Sequence, residues 1–188
     1  MKRNKRVVLL MSGKGSDLVS LYYSSVIFSW FKVDIVGVIV DRECLAKEVA
    51  EEIGIPVLMI KGEKQQKNKQ ILKQVKKWCP DCMIMSGFLS ILDNNVINYF
   101  GSKRIINIHP SLLPQFRGRD PQKQALEAKV KVTGVTLHYV DESIDTGEII
   151  IRVEAPICKG DTLDTLSQRL QLLGSLMLLN EVARMEEE

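Results

Sequence analysis

The chain has 188 residues, 45% apolar and 26% charged, enough to bury one sizeable core and too few to require a second. Its net charge of +3 is the balance of 26 basic and 23 acidic residues scattered along the sequence. That excludes a dedicated nucleic-acid or membrane surface from the expectation and leaves a small anionic substrate compatible.

Met1 to Arg6 is basic, but Val7 to Met11 is a short apolar run leading into Gly13, too short for a signal peptide or a membrane span. It reads instead as a buried first strand. Ser12-Gly13-Lys14-Gly15-Ser16-Asp17 follows as a tight turn, with Ser16 and Asp17 expected to cap a helix from about Asp17 to Phe28. A strand, a glycine-rich turn and a helix amino end present backbone N–H groups suited to a phosphate, although such turns also serve only to reverse the chain.

Ile35 to Val40 reads as the second strand, Glu43 to Ile53 as a helix stopped by Gly54, and Pro56 to Ile60 as a third strand. Strand, helix, strand is the rhythm of a parallel sheet. Lys61 to Trp78 is lysine-rich, yet Ile71, Leu72, Val75 and Trp78 form an apolar helical stripe, so this is a solvated amphipathic helix rather than a nucleic-acid patch. Cys79-Pro80-Asp81-Cys82 has CxxC spacing, but it precedes a strand, Met83 to Ser86, and no second ligand pair exists, so no metal is expected. The four cysteines are too few and too irregular for a disulfide framework, which agrees with a reducing compartment and a cytoplasmic location. Gly87 to Leu92 then lies at a strand's carboxyl end, where open α/β sheets place ligands. A helix from about Asp93 to Tyr99 leads onward.

Ile105 to Ile108 is a β-branched, buried run that ends at His109 before Pro110 turns the chain. Asn107 and His109 are two apart on a strand and therefore share a face. A lone histidine there would read as a satisfied core residue; its company decides. Gln115 to Asp120 is a basic, glycine-containing loop, Pro121 to Ala128 a helix, and Thr133 to Val140 and Ile149 to Val153 two strands of an antiparallel hairpin. Between them, Asp141 to Glu148 is an acidic turn containing Asp145. Asp161 or Thr162 caps a last helix in which Leu163, Leu166, Leu170, Leu173 and Met177 recur at helical spacing. Its further leucines, Leu172, Leu176, Leu178 and Leu179, suggest burial on more than one side, in the fold or against a second copy.

This order specifies an α/β, doubly wound, mostly parallel sheet with a C-terminal antiparallel hairpin and a terminal helix, a single domain over residues 1–188. The Gly13 turn, Gly87 to Leu92 and Asn107/His109 all belong to strand carboxyl ends and should converge. An amide, an imidazole and a turn carboxylate such as Asp145 suit attack of a neutral nucleophile on a carbonyl, with Asn107 and protonated His109 on the oxyanion and Asp145 relaying a proton. No activated Ser or Cys is evident, so direct transfer is the simpler route.

Asn107-Ile108-His109-Pro110-Ser111-Leu112-Leu113-Pro114, Gly134-Val135-Thr136-Leu137-His138 and Ile144-Asp145-Thr146-Gly147 resemble the formyltransferase family that uses 10-formyltetrahydrofolate, over about Val7 to Leu179. The resemblance implies a Rossmann-like fold and a catalytic set of Asn107, His109 and Asp145. It implies the folate cosubstrate along Lys64, Leu89, Ser90, Ile91, Leu92, Asp141, Glu142, Ser143 and Ile144. Gly13, Lys14, Gly15, Ser16 and Asp17 would hold the phosphate of a small phosphorylated amine, glycinamide ribonucleotide, in purine synthesis. Three positions depart from the family pattern: the Lys14/Asp17 turn, Ser90 in place of a basic residue, and Gly174 in place of a glutamate. Rival acceptors are an amino sugar nucleotide or methionyl-tRNA, the latter disfavoured by chain length; a formyltetrahydrofolate hydrolase would add a regulatory domain. A non-catalytic folate or nucleotide binder would not require all three catalytic side chains. The expected partners are small molecules, with no nucleic acid or membrane, in a monomer or homodimer.

Overall fold

The computed structural model describes residues 3–101 and 103–185; the ends of the expected domain, 1–2 and 186–188, lie outside them. Seven strands form one sheet: β1 (Lys5–Met11), β2 (Val33–Val40), β3 (Val57–Met59), β4 (Cys82–Ser86), β5 (Ile105–His109), β6 (Val132–Tyr139) and β7 (Ile149–Pro156). Their order is β3-β2-β1-β4-β5-β6-β7. The first five run parallel, and β6 and β7 are antiparallel to their neighbours. The helices are α1 (Ser16–Ile27), α2 (Leu45–Glu52), α3 (Lys64–Trp78), α4 (Asn94–Phe100), α5 (Pro121–Glu127) and α6 (Leu163–Arg184). The doubly wound sheet with its antiparallel hairpin is the architecture the sequence pattern specified.

Burial on both faces explains the unbroken apolar runs of the central strands. Val7, Leu9, Val38, Val40 and Ile84 face α1, α2 and α6, while Val8, Leu10, Ile39, Met83 and Ile105 face α3 and α4. The stripe on α3 packs as its spacing requires, with Ile71 and Val75 buried and Leu72 and Trp78 half-buried against the same core. Reversal of strand order on either side of β1 opens a crevice at the carboxyl ends of β1, β4 and β5, the position where such sheets bind ligands.

Several local expectations change. The residue preceding α1 is Gly15 in the left-handed region (φ 83°), and no side chain caps the helix. Ser16 and Asp17 lie inside the first turn instead. Gly15 is required there because a Cβ would stand 2.9 Å from Ala46 Cα, where the turn presses on α2. On α6, Leu166, Leu170, Met177 and Leu178 are buried, but Leu163, Leu172 and Leu176 are exposed, so the surplus leucines do not all serve the core. Thr162 is the residue that caps α6, accepting the Thr165 N–H. Cys82 is buried and its thiol is pushed up to about 12 by desolvation, which removes the thiolate that redox chemistry would need. Among the described residues no cluster of potential metal ligands occurs, and no helix is long and apolar enough to cross a membrane.

Gly37 on β2 faces Trp78, where an added Cβ would lie 2.5 Å from the indole ring. Gly37→Ala should therefore destabilise the protein by about 1–3 kcal/mol, read as a lower denaturant midpoint with unchanged slope; a wild-type midpoint would show that the indole moves aside at no cost.

Candidate active site

The last residues of β5 carry the centre of the site. Asn107 pairs across the antiparallel ladder with His138, and His109 with Thr136, so the two-residue period that puts Asn107 and His109 on one face puts Thr136 and His138 opposite them. Thr136 Oγ1 donates to Ser111 O (2.7 Å) and accepts the Leu113 N–H (3.0 Å). It thereby fixes the turn that follows His109. Ser111 Oγ is fully buried and donates to Gln115 O (2.6 Å), which removes it as a nucleophile and agrees with direct transfer.

The connection between β6 and β7 brings Asp145 to this pair. Asp145 sits in the left-handed region (φ 53°), an uncommon conformation for a residue with a Cβ, and Gly147 follows because a Cβ there would stand 1.8 Å from Tyr139 O. Asp141 Oδ1 braces the loop by accepting the Ser143 N–H (3.1 Å) and the Thr146 hydroxyl (2.8 Å). The Asp145 carboxylate then lies 3.4 Å from His109 Nδ1 and 3.6 Å from His138 Nε2. It also accepts the Gly118 N–H (2.8 Å) and an Asn107 amide hydrogen (3.4 Å).

Charge follows from these contacts. Burial pushes the Asp145 carboxyl up, but the adjacent His138 and His109 imidazoles and the hydrogen bond from the Gly118 N–H outweigh it and hold the group below the usual carboxylate range. Burial dominates at His109, which is 4% exposed, and holds its imidazole below the ordinary value. Its bond to Phe116 O and the Asp145 charge oppose that burial. The Phe116 carbonyl, 2.8 Å from His109 Nε2, accepts a hydrogen bond from its N–H, so the Nδ1 edge meets the carboxylate. A proton on Nδ1 joins His109 to Asp145; without it a lone pair faces the anion. The pair therefore handles a proton as a unit.

His138, 2% exposed, was given no role by sequence reasoning. Its Nδ1 lies 2.9 Å from Tyr139 O and its Nε2 3.1 Å from the Asn107 amide nitrogen. The carbonyl accepts, so Nδ1 carries the proton and Nε2 accepts from Asn107. Strand register alone could have paired the two. The Phe116 carbonyl and the Gly118 amide were equally hidden, because no side-chain pattern reports a backbone atom.

Beside the cluster lies a cleft of about 360 Å³ that Asn107, His109 and Asp145 border with Leu89 to Leu92, Gly118 to Gln122 and Asp141 to Ile144. Apolar walls with a few convergent polar groups suit a small organic ligand. Two expected groups of site residues are not part of its lining. Lys64 opens α3 as an exposed residue, and Lys67 one turn on is the lysine that reaches the wall, its Nζ 3.1 Å from Ser90 Oγ. An ammonium thus stands beside the position where the family pattern has a basic side chain. Gly13 to Asp17 lie on the neighbouring side of the crevice, where β1 and β4 pair Met11 with Ser86.

Within that turn Lys14 is exposed, whereas Asp17 is 5% exposed and turned inward. Its carboxylate accepts from Ser86 and Ser175, and burial pushes its pKa up against those bonds. The repulsion that an Asp would exert on a bound phosphate is thereby reduced. On α6, Gln171 donates to Ser16 Oγ, while a Cβ on Gly174 would stand 3.1 Å from Ile108. Gln171 and Ser175 touch the turn, and Gly174 lets α6 approach β5.

The family model described as formyl transferase matches residues 5–182. The chain is 38% identical over 176 residues to the trifunctional purine biosynthetic protein adenosine-3 of Bos taurus, covering 90% of this chain but only 17% of that much longer protein. It is 36% identical to the phosphoribosylglycinamide formyltransferase of Mycobacterium tuberculosis (strain CDC 1551 / Oshkosh), over 95% of this chain and 83% of the relative. Among solved structures, the phosphoribosylglycinamide formyltransferase from Bacillus halodurans superposes with a TM-score of 0.89 at 31% identity, covering 96% of this chain and 95% of that one.

The His109 imidazole should titrate below 6.5, and lower still in Asp145→Asn, where the raising charge is lost. Its contribution to stability is complete above about pH 6.5 and is lost as pH falls through the folded-state value. Imidazole chemical shifts against pH measure this; titration above 6.5 would contradict it.

Proposed function

This chain belongs to the formyl transferase family, and from that premise we propose that it transfers the formyl group of 10-formyltetrahydrofolate to the amine of glycinamide ribonucleotide in purine synthesis. One observation carries the reading: an amide, an imidazole and a depressed-pKa carboxylate from two separate chain segments meet within 3.4 Å contacts at the edge of an apolar cleft.

The neutral amine attacks the formyl carbon directly, forming a C–N bond and an oxyanion. Asn107 exchanges its long 3.4 Å bond to Asp145 for the oxyanion, a better acceptor. Asp145 takes the proton that the amine loses and shares it with His109, whose imidazolium then faces the oxyanion. When the bond to the folate nitrogen breaks, that proton goes to the departing nitrogen, and no covalent enzyme intermediate forms.

Leu89 to Leu92 and Asp141 to Ile144 form the folate walls of this proposal, with Lys64 and Lys67 supplying positive charge at the α3 side. Gly13 to Asp17 hold the acceptor's phosphate through first-turn N–H groups that have no intrahelical partner, with Lys14 adding a cation. A single domain supplies every one of these residues, in a monomer or a homodimer. Four unpaired cysteines fit a reducing, cytoplasmic setting, and no nucleic-acid partner is needed.

The test is formyl transfer from 10-formyltetrahydrofolate offered in parallel to glycinamide ribonucleotide, an amino sugar nucleotide and methionyl-tRNA. Product should form with glycinamide ribonucleotide, and His109→Ala and Asp145→Asn should each lower kcat by roughly 10²–10⁴-fold while circular dichroism stays native. Product with a rival acceptor alone, or near-normal turnover in either variant, would overturn the assignment.

A further inference from the structure

The wall of the cleft and the phosphate turn are joined by a residue that belongs to neither. Asp41 follows β2 at the same edge of the sheet, and its side chain is 1% exposed. Ser12 Oγ donates to one carboxylate oxygen (2.6 Å) and Ser90 Oγ to the other (2.7 Å), and Arg42 Nε adds a third bond (3.2 Å). Ser12 immediately precedes Gly13 of the turn, and Ser90 sits in the middle of the wall. Ser12 Oγ also accepts the Leu89 N–H (3.1 Å), so one hydroxyl ties turn, carboxylate and wall together.

The wall is anchored at its other end by Asn68, 2% exposed, which donates to Ile91 O (3.0 Å) and accepts the Asp93 N–H (2.8 Å). Its backbone is thus pinned by two buried polar groups while the side chains of Leu89 and Ile91 are exposed and available to a ligand. Only the Asp41 anchor also reaches the turn. Burial alone would push the Asp41 carboxyl up; the bonds from Ser12, Ser90 and Arg42 outweigh it and hold the group ionised.

We propose that Asp41 is a positioning residue that couples the donor cleft to the phosphate turn, so that an anion on the turn fixes Ser12 and, through Asp41 and Leu89, the wall against which the folate lies. The proposal rests on the functional reading above for what occupies each place. A coupling of this kind is reciprocal: the factor by which phosphate tightens folate equals that by which folate tightens phosphate. A tether with a purely structural role would lower the unfolding temperature without creating such a factor.

Calorimetric titration of tetrahydrofolate, with and without saturating inorganic phosphate, separates these outcomes. In the wild type phosphate should lower the tetrahydrofolate Kd by about fivefold, and in Asp41→Asn the ratio should fall to one while unfolding stays cooperative. Ser12→Ala removes the hydroxyl that joins turn, carboxylate and wall while leaving the Asp41 carboxylate its bonds to Ser90 and Arg42, and it carries the same expectation should Asp41→Asn fail to fold. A wild-type ratio of one with both ligands bound, or an undiminished ratio in the folded variants, would overturn the coupling alone. A wild type that binds neither ligand overturns the functional reading and the coupling with it.

Discussion

A carboxylate taken out of water must be compensated by polar neighbours, and Asp145 is the place where this constraint organises the protein. Its four partners come from three places: Asn107 and His109 on β5, His138 on β6, and the Gly118 amide in the loop before α5. None of these groups is adjacent to Asp145 in sequence. The sheet must therefore be closed through β6, the loop after Pro114 folded back, and the left-handed turn at Asp145 formed before any of the four contacts exists. A lone buried charge is costly to leave unpaired, so these elements stand or fall together. The same closure gives the cleft its polar edge.

Much of this was legible because it depends on periodicity. Alternation put Asn107 and His109 on one face, helical spacing placed Ile71 and Val75 in the core, and the order of elements fixed where the strand ends converge. What was hidden has a physical reason in each case. Ser16 and Asp17 looked like capping residues, since hydroxyls and carboxylates commonly cap helices; the approach of α2 to Gly15 moved the helix start ahead of them. Leu172 and Leu176 read as buried in the fold or against a second copy; they are exposed on the chain itself, because the stripe that α6 turns inward is narrower than its leucine content. His138 gained its place only through strand register, and Phe116 and Gly118 contribute backbone atoms that no side-chain pattern reports.

The departures from the family pattern acquire local explanations. Ser90 brings no cation itself, but it is bonded to Lys67 and Asp41, so the charge arrives from a neighbouring helix. Asp17 brings an extra carboxyl to the turn proposed to hold a phosphate, but two serines and burial draw it inward. Gly174 forfeits a side chain and gains a close approach of α6 to Ile108, with Gln171 and Ser175 making the contacts to the turn. In each case the chemistry is redistributed among neighbours, and single positions compared one at a time would miss it.

If Asp145 and His109 hold one proton as a unit, removing either member disables the same step. A double-mutant cycle on kcat/KM with His109→Ala, Asp145→Asn and the combined variant tests this directly, because independent contributions multiply and shared ones do not. The pair predicts that the double variant is no slower than the slower single variant. A double variant slowed by the product of the two single effects would contradict it.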